Sequence, residues 1–223
     1  SPGHLLLSCH ALLSADSDFA LTLGKATKKE TANLHILPAH TYSQSFLDGV
    51  HGWCASTGHS AVLISTNEDT PAVHWFNGGA APSSWVWDAS AEENRCSSVD
   101  CNCGPARVRL LPADALWQPE MVLAAAKEGV DVVVVLSPHF DGIIRLLAGV
   151  RTIEQVAVAV CSPQGAGIWM IPEDHQRWGE TIARPGESCS LLLDTAGTRV
   201  KRFQERVDYP LLLQGLTSRL QNR

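Results

Sequence analysis

Short apolar runs alternate with segments of helical periodicity along most of the chain. Residues 4–13 are rich in apolar side chains, and the polar residues after them can cap a helix that extends to about Thr31. A second apolar run, 33–37, ends at Pro38, and the segment 44–57 then places apolar side chains at helical spacing. The pattern predicts a strand followed by a helix, twice over.

The second half of the chain continues this alternation after a hairpin. The runs 60–65 and 71–76 flank a polar turn and predict two antiparallel strands. The elements predicted after the hairpin are strand 107–111, helix 118–128, strand 130–137, helix 140–153, and strands 155–161, 168–171 and 189–194. This alternation is typical of a layered α/β fold, and the chain length favours one domain over residues 1–223.

The polar segment 77–105 separates the two halves and is too long for an ordinary connection, so a long irregular loop is predicted. Its C-terminal part contains the densest group of cysteines: Cys96, Cys101 and Cys103. Three thiolates could hold zinc or an iron–sulfur cluster if a fourth ligand came from elsewhere. The spacing matches no standard metal motif, so incidental thiols or one disulfide are favoured, and no cofactor is expected.

Composition and charge narrow the classes of partner and compartment. A net charge of −6 and a pI near 5.8 argue against nucleic-acid binding, which needs a concentrated basic surface. The longest apolar run, 132–136, is far shorter than the roughly 20 residues of a membrane span. Seven scattered cysteines do not resemble a secreted disulfide scaffold, and no signal peptide begins at Ser1, so a cytoplasmic location is expected.

Several short segments of the second half resemble motifs of the nitrilase (carbon–nitrogen hydrolase) superfamily. The segment 128–137 (EGVDVVVVLS) is similar to the family's "aGAdlllvPS" strand, and 151–155 (RTIEQ) resembles its "RAxEN" helix end. Residues 171–174 (IPED), the closing strand 191–194 and the basic stretch 199–206 are similar to later family segments in the same order. The resemblance implies a four-layer αββα sandwich that forms a homodimer or joins a partner domain of a larger protein.

The resemblance also implies a catalytic triad, and two of its members are absent at the matching positions. In the family a cysteine thiolate attacks an amide or nitrile carbon, a glutamate acts as general base and a lysine stabilises the intermediate. The glutamate of the family's "fPE" motif corresponds to Ala39. The lysine of "yrK" falls in the stretch 73–77, where Phe76 is the nearest equivalent.

The nucleophile position is also without a cysteine. The family motif "giliCyDxxfPe" matches residues 108–120, where Asp114 aligns the cysteine with Pro112. The following Pro119-Glu120 aligns it instead with Ala113. Because neither residue can attack a carbon, the sequence predicts a degenerate site and a domain that is not an enzyme.

Four residues are predicted to border this site and to contact a small ligand: His40, Asp114, His139 and Phe140. The sequence therefore predicts a domain that acts as a structural, dimerisation or ligand-binding module. One alternative is a carbon–nitrogen hydrolase with a relocated thiol such as Cys161, although a buried structural cysteine is the simpler interpretation there. The other alternative is the metal module built on the cysteines of 96–103.

Overall fold

In the computed structural model, which describes residues 3–14, 31–66, 71–87, 98–170 and 179–199, the strands form two six-stranded sheets. The first sheet has the order β12-β1-β2-β3-β4-β5 and contains β1 (His4–His10), β2 (Ala32–Ile36), β3 (Ser60–Ser65), β4 (Ala72–Asn77), β5 (Ser83–Val86) and β12 (Ser188–Asp194). The second has the order β11-β10-β9-β8-β7-β6 and contains β6 (Val99–Cys103), β7 (Ala106–Leu111), β8 (Val132–Leu136), β9 (Ala157–Ser162), β10 (Gly165–Trp169) and β11 (Glu180–Ala183). In each sheet three neighbouring strands are parallel and the others antiparallel.

Three helices with well-defined ends connect the parallel strands: α1 (Gln44–Thr57), α2 (Pro119–Lys127) and α3 (Gly142–Arg151). Ser43 caps α1 by accepting a hydrogen bond from the backbone of Phe46, and Gly58 ends it in the left-handed conformation. Asp141 caps α3 through two backbone N–H groups. Short 3₁₀ turns, Ala113–Trp117 and Thr152–Glu154, precede α2 and follow α3.

Side chains alternate between the two faces of each strand, so the buried residues form three clusters, one between each pair of adjacent layers. In β8, Val132, Val134 and Leu136 face the first sheet, whereas Val133 and Val135 face the helices. This double burial explains why the strand is continuously apolar. A third cluster lies between the first sheet and α1. The predicted four-layer αββα sandwich is therefore confirmed.

The predicted irregular loop over 77–105 is wrong where the structure describes this segment, because it contains β5 and β6. Strand β6 alternates inward-facing residues such as Val99 with exposed residues such as Asp100, and the polar half obscures the apolar one in the sequence. The glycine-rich stretch 164–167 contains the start of β10. The helix expected up to Thr31 and the segment after Arg199 lie mainly outside the described residues.

The part of the chain that the structure describes has no helix long and apolar enough to cross a bilayer.

Gly104, in the turn between β6 and β7, brings the two sheets into close contact. Its φ is +54°, and a Cβ at this position would overlap the Cβ of Ala32 on the opposite sheet. We expect Gly104→Ala to lower the free energy of unfolding by roughly 2–4 kcal/mol, because overpacking adds to backbone strain. Urea unfolding measures this change.

Gly129→Ala is the matched control for that experiment. Gly129 also has a positive φ, +88°, but a Cβ there meets no atom within 4 Å. Backbone strain alone should cost about 1 kcal/mol at this position. Equal losses in the two variants would show that the contact with Ala32 contributes nothing.

Candidate functional site

The carboxyl ends of the central parallel strands are where the sequence predicts the degenerate site. In the second sheet the strand register places Pro112, Leu136 and Cys161 at one level, and all three are buried. The Cys161 thiol lies 3.4 Å from the carbonyl oxygen of His10 and 3.5 Å from that of Ile36, to which it donates. The two sheets are therefore in direct contact at the level of the expected nucleophile.

The chain after β2 carries the position predicted for the general base. Ala39 packs against the cluster between the sheets, so a methyl group occupies this place. Tyr42 is fully buried and its hydroxyl donates to the carbonyl oxygen of Pro38 at 2.7 Å. Burial raises the pKa of Tyr42 well above its usual value, and nearby Cys161 raises it further. The Tyr42 hydroxyl therefore stays protonated and stabilises the segment 38–42 as a hydrogen-bond donor.

Phe76 does not lie with Ala39. It belongs to the cluster between the first sheet and α1, on the opposite face from the inter-sheet core. The neighbouring Trp75 faces inward, as does Trp87, which follows β5 and is only 5% exposed. The predicted frame of Ala39, Phe76 and Pro112 therefore does not form one pocket, because strand alternation turns Phe76 outward.

The four predicted ligand-binding residues lie in different surroundings. The His40 ring accepts the Thr41 backbone N–H at 3.2 Å. Asp114 is exposed on the first 3₁₀ turn, and His139 is exposed after β8. Phe140 packs against Trp169 with ring centroids 6.3 Å apart, on the helix-covered face of the second sheet. Phe140 therefore faces away from the space between the sheets.

The thiols in the described ranges are free and buried. Of the predicted metal ligands, Cys96 lies outside the described residues, whereas Cys101 and Cys103 point into the inter-sheet core. Burial raises the pKa of Cys101 to about 12 and that of Cys103 to about 11, which opposes the thiolate that a metal requires. Among the described residues, no three potential ligands are arranged to hold a metal ion.

Cys161 also lies in a setting that disfavours the relocated-thiol alternative. Its exposed fraction is 0%, and two backbone carbonyl oxygens lie within hydrogen-bond distance of its single S–H. A second thiol, Cys9, is hydrogen-bonded to it, and burial raises the pKa of Cys9 well above its usual value. An attacking sulfur needs to be accessible and deprotonated, and Cys161 is not accessible.

The outer face of the second sheet carries an open groove of about 560 Å³ that the sequence did not reveal. It is lined by Gly142, Arg145, Leu146, Gly149, Val150, Trp169 and Glu180. Across it the Arg145 guanidinium lies 3.3 Å from the Glu180 carboxylate, which also accepts the Trp169 indole N–H at 3.1 Å. Beside the groove, Ile143 and Leu146 of α3 are 55% and 66% exposed.

Comparison with solved structures identifies nitrilase-superfamily proteins with the same fold. A cysteine-to-alanine variant of an amidase of the nitrilase superfamily from Nesterenkonia AN1 aligns with a TM-score of 0.64 at 15% identity, over 94% of this chain and 97% of that one. Saccharomyces cerevisiae Nit3, a member of branch 10 of the nitrilase superfamily, aligns with a TM-score of 0.61 at 14% identity, over 91% and 94%. No protein-family model matches the chain, and no curated protein sequence does. At such identities the likeness establishes the nitrilase-type fold.

Proposed function

We propose that this chain is a nitrilase-superfamily member that lacks the family's catalytic chemistry and acts as a dimerising structural module. The observation that carries the proposal is buried Pro112 at the nucleophile position, level with Cys161, whose thiol bridges to the opposite sheet. Shared fold and the ordered sequence motifs support membership in the superfamily.

The chemistry of a similar amidase explains why Pro112 is decisive. In a variant of the Nesterenkonia enzyme, the acetamide moiety of fluoroacetamide is bound covalently at the active-site cysteine. Here neither Pro112 nor Ala113 offers a sulfur, and Ala39 offers no carboxylate to activate one. Loss of both nucleophile and base removes the two partners of the first bond-forming step.

Fluoroacetamide tests the proposed loss of catalysis. We expect no cysteine of the folded chain to be modified when the reagent is incubated with it and intact mass is measured. The control is the urea-unfolded chain treated with iodoacetamide, in which all seven cysteines become available. Rapid modification of Cys161 in the folded chain, together with release of ammonia from an amide panel, would contradict the proposal.

The surface around α3 supports the dimerisation part of the proposal. Ile143 and Leu146 lie one helical turn apart, and Ile153, 53% exposed, extends the stripe beyond the end of α3. The groove beside it contains one cation, Arg145, and one anion, Glu180. A second copy related by twofold symmetry brings the same two residues to the interface, so each charge can face the opposite charge of the other copy. Exposed apolar stripes of this kind mark interaction surfaces.

Sizing by light scattering tests the paired state. The unaltered chain should have twice the 24.0 kDa mass of the monomer, and Leu146→Asp should lower the dimer population roughly tenfold or more because a carboxylate would be desolvated at the interface. Val86→Asp is the control, since Val86 is 72% exposed on the distant edge strand β5. A strict monomer at high concentration would overturn the dimer.

A further inference from the structure

Four side chains form a continuous hydrogen-bonded row on the α1-facing side of the first sheet. The Oγ of Ser188 lies 2.7 Å from Nδ1 of His10, and Nε2 of His10 lies 3.0 Å from Nδ1 of His35. Nε2 of His35 lies 3.2 Å from Nδ1 of His59. The row crosses β12, β1 and β2 and ends at the residue before β3.

The strand register creates this row. His10 and Ser188 are direct cross-strand partners in the antiparallel pair β1–β12, so their side chains share one face. Neighbouring rings are inclined by only 23° and 20°, which directs each ring nitrogen toward the next ring. Trp53 of α1 meets His35 edge-on with centroids 5.1 Å apart and holds that ring in place.

Burial differs along the row in a way that suits proton transfer. His10 and His35 are 0% exposed, whereas Ser188 is exposed at one end and His59 is half-buried at the other. A neutral imidazole has one donor and one acceptor, so the row can be satisfied with every hydrogen bond pointing from Ser188 toward His59. In that arrangement the serine hydroxyl donates to a ring nitrogen, as an activated nucleophile does.

We propose that Ser188 is a nucleophile that accepts acyl groups from small activated esters, with His10 as its general base and His35 and His59 as a proton relay. The hydroxyl proton passes to Nδ1 of His10 while the Nε2 proton of each buried ring moves to the next ring. His59 thereby becomes the imidazolium. The Ser188 oxygen bonds to the acyl carbon, the ester C–O bond breaks, and the alcohol leaves with the returned proton.

The relay explains how two buried histidines can serve this step. A charge on His10 itself would be buried and costly, and burial lowers the pKa of His10 to about 4 and that of His35 to about 2. His59 is only half-buried, so although burial lowers its pKa too, a proton moved there places the charge where water can reach it.

The surroundings of Ser188 indicate a small substrate with an apolar acyl group. Leu13 is 62% exposed and lies beside Gly186, two residues before the serine. The carboxylate of the intervening Glu187 accepts the Arg184 backbone N–H at 3.1 Å, and this hydrogen bond stabilises the turn 184–187. An open strand surface with one exposed leucine fits a short acyl chain better than a large one.

Ser190 provides a control within the same chain. It lies two residues further along β12 on the same face, and it is exposed like Ser188. Its Oγ, however, is 2.9 Å from the Oγ of Ser8, and the hydrogen bonds of the histidine row do not include it. A difference in reactivity between the two serines therefore reports on the base.

Acylation of the folded 223-residue chain by p-nitrophenyl acetate, followed by peptide mapping, tests the proposal. We expect Ser188 to be acetylated roughly tenfold or more faster than Ser190, an effect typical of a positioned base. The ratio needs no variant, so it is independent of any folding defect. Equal labelling of the two serines, or labelling of neither, overturns the proposal.

Three variants separate the roles in the row. Ser188→Ala should remove the fast phase, whereas Ser190→Ala should leave it unchanged. In the unaltered chain the acylation rate at Ser188 should rise with pH, because His59 must be neutral to receive the proton. His59→Gln removes this ring, so the rate should fall several-fold and should no longer rise with pH. A Ser188 rate with an unaltered pH profile in His59→Gln would overturn the relay.

Discussion

Replacing Asp131 by alanine is expected to lower the free energy of unfolding by about 3–4 kcal/mol, because it removes three charge-assisted hydrogen bonds made by a buried carboxylate. The Asp131 side chain is 0% exposed. Its carboxylate accepts the backbone N–H of Arg107 at 2.8 Å and two guanidinium N–H groups of Arg199, at 3.0 and 2.6 Å. Removing it leaves the Arg107 backbone N–H without its buried acceptor, whereas the Arg199 side chain is 50% exposed and can turn to water.

The position of Asp131 explains the size of the effect. It precedes β8 in the second sheet, whereas Arg199 follows β12 of the first sheet, so the ion pair joins the two layers. Arg199 also donates to the carbonyl oxygen of Pro105 at 2.9 Å. Urea unfolding at neutral pH measures the loss, and Asp131→Asn should lose less because its amide oxygen can still accept from the Arg107 backbone.

Asp100→Ala is the matched comparison for this prediction. Asp100 likewise accepts three hydrogen bonds, one from Arg107 and two from Arg109, at 2.6–2.9 Å. Its side chain is 31% exposed on the edge strand β6, so water can replace its partners and the loss should stay below about 1 kcal/mol. Equal losses for Asp131→Ala and Asp100→Ala would show that burial does not determine the effect.

Local sequence signals predicted the single elements of the fold well. The helix expected over 44–57 coincides with α1, because Ser43 and Gly58 provide the signals for its start and end. The continuous apolar run of β8 was recognised as a strand buried on both faces. Strands β5 and β6 were missed because each is short and lies at a sheet edge, where half of the side chains are polar.

Short sequence motifs predicted only part of the candidate site. The motifs located Ala39 and Pro112 near strand ends, where the structure places them. The choice of Phe76 ignored the two-residue alternation of β4, which faces Trp75 inward and Phe76 outward. The row of His10, His35 and His59 depends on the register of three strands, which sequence periodicity does not determine.

Lowering the pH from 7 to 5 is expected to reduce the free energy of unfolding by about 3–4 kcal/mol through His10 and His35 alone. Burial lowers the pKa of His10 from 6.5 to about 4 and that of His35 to about 2. The groups that face His35 in the described ranges are His10, His59 and Trp53, so no carboxylate compensates a charge there.

The sign follows from proton binding in the two states. Below pH 6.5 the unfolded chain protonates both histidines while the folded chain keeps them neutral, so stability is present above that pH and is lost as the pH falls. For His10 the loss ends near pH 4, and for His35 it continues toward pH 2. Urea midpoints measured between pH 7 and 5 give the slope.

His35→Gln tests the assignment of this slope to the buried row. Glutamine can donate to one neighbouring ring and accept from the other, but it does not titrate, so the pH-dependent loss between pH 7 and 5 should shrink by about 2 kcal/mol. His139→Gln, which removes an exposed histidine, is the control and should leave the slope unchanged. An acid slope that persists in full in His35→Gln would mean that other groups, and not the buried histidines, cause the loss of stability.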